Sequence, residues 1–197
     1  MRCVNAAETV ELLGDDFPFT FGAYEAVQRN ALRPKDDLAA QQRRIDGRPP
    51  LGPSVLPAFC DALNRWHPPQ IRRLLWVDDW GTGGDAMTCH PIVQAARAGV
   101  GDQRSLFEAP GHCFEAFPYD EWDQLAISPE QAHETGLMVG LLAIVMIGGW
   151  DGWLVAAGSA DRIEFWEGNV CFYSDSKTRL AEAEAVFGKF DCPRGLA

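Results

Sequence analysis

A chain of 197 residues with 47% hydrophobic and 23% charged side chains has room for one sizeable core and is too apolar to be a disordered segment. Its formal net charge is −11, unevenly spread: residues 1–107 hold 13 acidic and 12 basic side chains, residues 108–197 hold 15 and 5. That balance argues against nucleic acid and anionic membrane, which need clustered Lys and Arg, and favours a basic protein as partner.

The first residues, Met1 to Glu8, lack the apolar core of a signal peptide. Six cysteines at 3, 60, 89, 113, 171 and 192 show no C-x-x-C spacing; they read as reduced thiols, small core residues of a cytoplasmic protein. One domain over 1–197 is expected, with 1–50 a loosely packed N-terminal segment. Asp36 to Ile45 reads as a polar surface helix, and Asp46 to Pro53, rich in Pro and Gly, as a connector.

Ser54 is expected to open a helix that puts Leu56, Phe59, Leu63 and Trp66 on one face and stops at His67-Pro68-Pro69. Residues 71–77 read as a strand, 78–85 as a Gly-rich loop, 90–98 as a helix and 113–117 as a short strand. Ser128-Pro129-Glu130-Gln131 carries a capping hydroxyl, a proline at the first helical position and an amide three residues after the cap. The helix it opens is apolar on every side from Leu137, which implies burial all round, and Gly148-Gly149 supply a left-handed stop. At 12 residues the apolar run from 136 to 147 is short of the roughly 20 that a bilayer span needs.

Three aromatic and β-branched runs follow, at 152–157, 162–166 and 170–173, the last two joined by Glu167-Gly168-Asn169, residues that tolerate positive φ. They predict a three-stranded antiparallel meander. In its middle strand Ile163 and Phe165 face the core, while Arg162, Glu164 and Trp166 share an exposed aromatic face. Asp175 or Ser176 caps a last helix with Leu180, Ala183, Phe187 and Phe190 as its core stripe. The fold class is α+β: a buried helix, an antiparallel meander and a closing amphipathic helix, with further helices and short strands in the N-terminal half.

Four constellations could carry chemistry. Leu74 to Gly84 (LLWVDDWGTGG) resembles the first motif of class I methyltransferases, where glycines let the backbone approach a nucleotide-like cofactor and an acid binds ribose. That family needs a seven-stranded, mostly parallel sheet, which the downstream pattern does not supply. A small-molecule enzyme or sensor, methyltransferase-like or nucleotide-binding, using the Gly81 to Gly84 loop is the alternative reading. Cys89-His90 and His112-Cys113 are adjacent pairs that rarely aim at one ion, so no metal or cofactor is expected. Cys113 beside Gly111-His112 is a thiol with no sign of activation. The carboxylates of Asp78-Asp79, Asp120-Glu121-Asp123 and Glu164 with Glu167 read as solvated surface acids; no catalytic residue is assigned.

Seven tryptophans remain, several beside acids: Asp79-Trp80, Glu121-Trp122-Asp123, Trp150-Asp151 and Trp166-Glu167. Trp gives large contact area at low entropy cost, and carboxylates beside it pair with Lys or Arg across an interface. Trp66, Trp76, Trp150 and Trp153 read as core, Trp122 and Trp166 as interface. The order of a buried helix, Trp150 to Val155, Asp161 to Gly168 and a closing amphipathic helix resembles the C-terminal layout of small acidic immunity proteins of bacterial toxin systems, over residues 129–190. The resemblance implies a cytoplasmic protein that neutralises a cognate basic toxin. The expected contact residues are Asp120, Glu121, Trp122, Asp123, Asp161, Glu164, Trp166 and Glu167. A third reading makes the aromatic face a permanent interface of a larger assembly or homo-oligomer.

Overall fold

The computed structural model describes residues 2–4, 19–24, 29–34, 43–67, 71–77, 112–116 and 129–193, and statements of absence below concern these. In chain order they form β1 (Arg2–Val4), β2 (Phe19–Tyr24), β3 (Arg29–Pro34), β4 (Arg43–Gly47), α1 (Leu56–Trp66), β5 (Arg73–Val77), β6 (His112–Ala116), α2 (Pro129–Gly148), β7 (Gly152–Ala156), β8 (Arg162–Trp166), β9 (Asn169–Ser174) and α3 (Lys177–Lys189). Seven strands make one sheet in the order β1-β6-β5-β7-β8-β9-β4; β2 and β3 form a separate hairpin. Every described pair is antiparallel. The class is α+β, and the mostly parallel sheet of a methyltransferase is not what these strands build.

The meander is β7-β8-β9, with Leu154 opposite Ile163 and Ile163 opposite Phe172. Its second turn places Glu167 at φ 47° and Gly168 at φ 73°, the left-handed pair that matches strand twist in a two-residue hairpin. Ser176 caps α3 by accepting from the Arg179 N–H. α2 ends with Gly149 at φ 62°, the Trp150 N–H on the Val145 carbonyl and the Gly149 N–H on that of Met146, the two bonds of a Schellman stop.

One sheet face carries the main core. Leu75, Val77, Leu154, Ile163, Phe165, Val170 and Phe172 meet Phe59 and Leu63 of α1, Met138, Leu142 and Val145 of α2, and Ala183 and Phe187 of α3. The rings interlock edge to face, Trp66 on Phe172 at 4.9 Å and Phe172 on Phe187 at 5.3 Å, arrangements worth about 0.5–1.5 kcal/mol each beyond area burial. Cys60, Cys171 and Cys192 are buried free thiols, and burial pushes the first two up to about 12.

Three expectations need correction. Arg43, Arg44 and Ile45, the end of the expected 36–45 helix, are strand residues, because docking beside β9 puts Ile45 against the core and Arg44 on the other face; residues 36–42 lie outside the described set. α2 is not buried all round: Leu141, Leu142 and Val145 face inward, while Gly136, Gly140 and Ile147 are exposed. A uniformly apolar helix gives no contrast from which its inward side can be read. α1 starts at Leu56 rather than Ser54, because the Val55 and Leu56 N–H groups close a turn on the Gly52 carbonyl and no side chain caps it.

Candidate functional site

The second sheet face was expected to be exposed and aromatic, and for the most part it is buried. Leu74, Trp76, Val155 and Cys171 are all but inaccessible, Trp153 is 8% exposed and Arg162 only 2%. The register sets two lateral rows across β7, β8, β9 and β4: Val155, Arg162, Tyr173, Arg44, and Trp153, Glu164, Cys171, Asp46. Where they meet, the Arg162 guanidinium lies 4.3 Å from the Tyr173 ring centre and 5.7 Å from that of Trp153, the attraction of a cation for a π face strengthened by desolvation. The Tyr173 hydroxyl donates to Glu164 Oε2 at 2.5 Å.

Burial raises the Glu164 carboxyl pKa and opposes ionisation, the Tyr173 bond and the Arg44 and Arg162 charges offsetting part of this. Tyr173 is pushed up by burial and by its bond to Glu164, and burial lowers Arg162. Arg44 is raised first by its bond to Asp46, at 2.9 Å.

A second polar unit lies where α1, β8 and α3 converge. Asp161 accepts from Ser174 Oγ at 2.5 Å and from Arg179 Nε at 2.9 Å. Arg179 lies 4.4 Å from the Trp66 ring centre and donates to the Trp66 carbonyl, while Trp66 Nε1 donates to the Arg179 carbonyl at 3.1 Å. Buried Arg73 donates to the carbonyl and side-chain oxygen of Asn64. Two guanidiniums thus satisfy the last turn of α1, where the dipole favours cations.

Beside them His67 is fully buried, its Nε2 3.2 Å from the Leu154 carbonyl, which makes Nε2 the protonated nitrogen. Burial, and then the Arg73 charge, lower its pKa to about 3. Its role is structural, and no group of three or more His, Cys, Asp or Glu that could hold a metal occurs among the described residues.

The third unit is the tip of the β8–β9 hairpin. Trp166 is 38% exposed, the one exposed aromatic within residues 44–67, 71–77 and 133–193. The Glu167 N–H donates to Asp151 Oδ1 at 3.0 Å, and Asn169 Nδ2 reaches the Trp166 and Glu167 carbonyls at 3.4 Å. The tip is therefore pinned in place, with the Asp151 carboxylate bonded to the residue that follows Trp166.

Of the eight expected contact residues, Asp120, Glu121, Trp122 and Asp123 lie outside the described residues, as does the Gly81 to Gly84 loop. Trp166 and Glu167 share the hairpin tip. Asp161 sits just before the other end of β8, about 17–20 Å away at the rise of a strand, and Glu164 lies between them, bound to Tyr173. Asp151, Arg162 and Tyr173 were not selected from sequence. The turn would have found Tyr173, since Trp166 opposite Asn169 fixes Arg162 opposite Tyr173. Comparison of the chain with family models, curated proteins and solved structures returns no match. No helix among the described residues is long and apolar enough to cross a membrane.

Proposed function

We propose that this chain is a protein-binding inhibitor of the immunity type, holding a basic toxin through the tip of the β8–β9 hairpin and the acidic surface around it. The observation that carries the reading is Trp166, 38% exposed at the start of a turn with positive φ, next in the chain to Glu167, whose N–H the Asp151 carboxylate holds. An indole on a pinned backbone has few torsions to order on docking and belongs to the residue types that dominate interface energetics. Carboxylates beside it pair with Lys or Arg, and the excess of acid in residues 108–197 would speed the encounter with a cationic partner at low salt.

Asp161 serves in this reading as a support for the sheet rather than as a contact, since Ser174 and Arg179 already occupy its oxygens. The test is co-expression: a basic protein that binds this chain one to one should arrest growth alone and be harmless beside wild type. It should arrest growth again beside Trp166→Ala combined with Glu167→Lys. Full protection by that double variant would contradict the proposed contact site.

A further inference from the structure

Among the described strands, β4 ends the sheet with one neighbour, β9; just past its end the Arg48 N–H is taken by the Pro193 carbonyl at 2.8 Å, so the edge in question is the stretch from Arg44 to Asp46. A terminal strand presents backbone donors and acceptors that template another strand. β4 reads Arg43-Arg44-Ile45-Asp46-Gly47, so its charge changes sign about Ile45. We propose that β4 pairs antiparallel with β4 of a second copy of this chain, about a two-fold axis through Ile45, joining two sheets into one.

In that register Arg44 stands opposite Asp46 of the second copy and Asp46 opposite its Arg44, while the two Ile45 residues meet at the axis. A two-fold contact must be self-complementary, and this pattern is. The charged groups are in place: Arg44 already holds Asp46 at 2.9 Å with its own side chain 47% exposed, so each carboxylate would lie between two guanidiniums. Opposite charges directly across a strand pair are favourable, and like charges are unfavourable.

The helix layer fits the same operation. α3 packs on both β9 and β4, and an axis midway between the two strands is the simplest geometry that does so. With strands about 4.8 Å apart, the α3 axis sits about 2.4 Å inside β4 and the two-fold axis about as far outside it. The two α3 axes then lie about 10 Å apart, at the upper end of the packed-helix range. α1 occupies one flank of α3, through Trp66 on Arg179 and Phe59 on Phe190. The opposite flank carries Lys177, Ala181, Glu184 and Gly188, all exposed, and the small Ala181 and Gly188 leave room for a second helix.

The experiment is sedimentation equilibrium over a concentration series. The wild-type mass should rise from one chain toward two. Arg44→Asp and Asp46→Arg should each weaken the dimer roughly tenfold or more, by turning two opposite-charge pairs into like-charge pairs. Mixing the two variants should restore association, because every introduced charge then meets its opposite across the axis although neither chain keeps its internal ion pair. Gly188→Arg is the second probe: an added Cβ meets nothing within 4 Å there, so the monomer should fold as before, checked by circular dichroism, and the dimer should be lost. A wild-type mass of one chain throughout would overturn the proposal. So would a mixture no better associated than its components, or a Gly188→Arg protein that dimerises like wild type.

Discussion

Gly152→Ala and Gly140→Ala are the same chemical change with opposite expected signs. Gly152 stands opposite Val77 in the β5–β7 pair. A Cβ added there falls inside van der Waals contact of the Trp76 carbonyl oxygen and 3.1 Å from Val77 Cα. The obstructing atoms are the backbone of a paired, buried strand and cannot swing aside as a side-chain tip would. Overpacking of this kind costs about 1–3 kcal/mol, and the backbone nature of the clash argues for the upper end. Against it stands about 0.4–1 kcal/mol from the reduced freedom of the unfolded chain, so the net loss should be about 2 kcal/mol. At about 2–4 °C per kcal/mol for a domain of this size, Tm should fall by about 4–8 °C.

Gly140 lies on the exposed side of α2 with nothing within 4 Å of an added Cβ. There the helix gains about 0.5–1 kcal/mol, and Tm should rise by about 1–4 °C. Thermal unfolding followed by far-ultraviolet circular dichroism, with urea midpoints as a second measure, reads both. A Gly152→Ala protein as stable as wild type would refute the close approach of β7 to β5.

Three further outcomes follow from the geometry. His67 is neutral in the fold down to about pH 3 but protonates near 6.5 when unfolded. The unfolded state therefore takes up more protons as pH falls through that window, so stability is complete above pH 6.5 and declines below it, by about 2 kcal/mol between pH 7 and 5; urea titrations of wild type and His67→Phe should differ by that amount in their pH dependence. Glu164 has the opposite sign: a raised folded pKa stabilises at low pH and is lost as pH rises through it, so Glu164→Gln, which keeps an acceptor for Tyr173, should gain stability relative to wild type with rising pH in the same titrations. Arg162→Ala removes two cation–π contacts worth about 0.5–2 kcal/mol each. A urea midpoint unchanged by that substitution would show that the buried guanidinium contributes nothing.

Where order was legible in the sequence, its signals were local. The Ser176 cap, the Gly149 stop and the Glu167-Gly168 turn each show within a few residues, and the antiparallel meander follows from them. β4 has no such signal: Arg43 to Gly47 is a strand because β9 lies beside it, more than 120 residues on. The site divided in the same way. Trp166 and Glu167 stand out as an aromatic and an acid at a turn, whereas Asp161 read as a contact residue because its partners Ser174 and Arg179 are 13 and 18 residues away. The turn register places Tyr173 opposite Arg162, but nothing local announced that Trp153 would also meet its guanidinium.

The most direct measurement is a paired affinity capture from lysate of the native host, using wild type and the Trp166→Ala, Glu167→Lys double variant as baits, each shown to melt cooperatively. The account predicts that wild type retains one basic protein at near one to one, toxic when expressed alone, and that the double variant loses it. Equal retention by both baits, or no stoichiometric protein on wild type in cells shown to express a basic toxin, would contradict it.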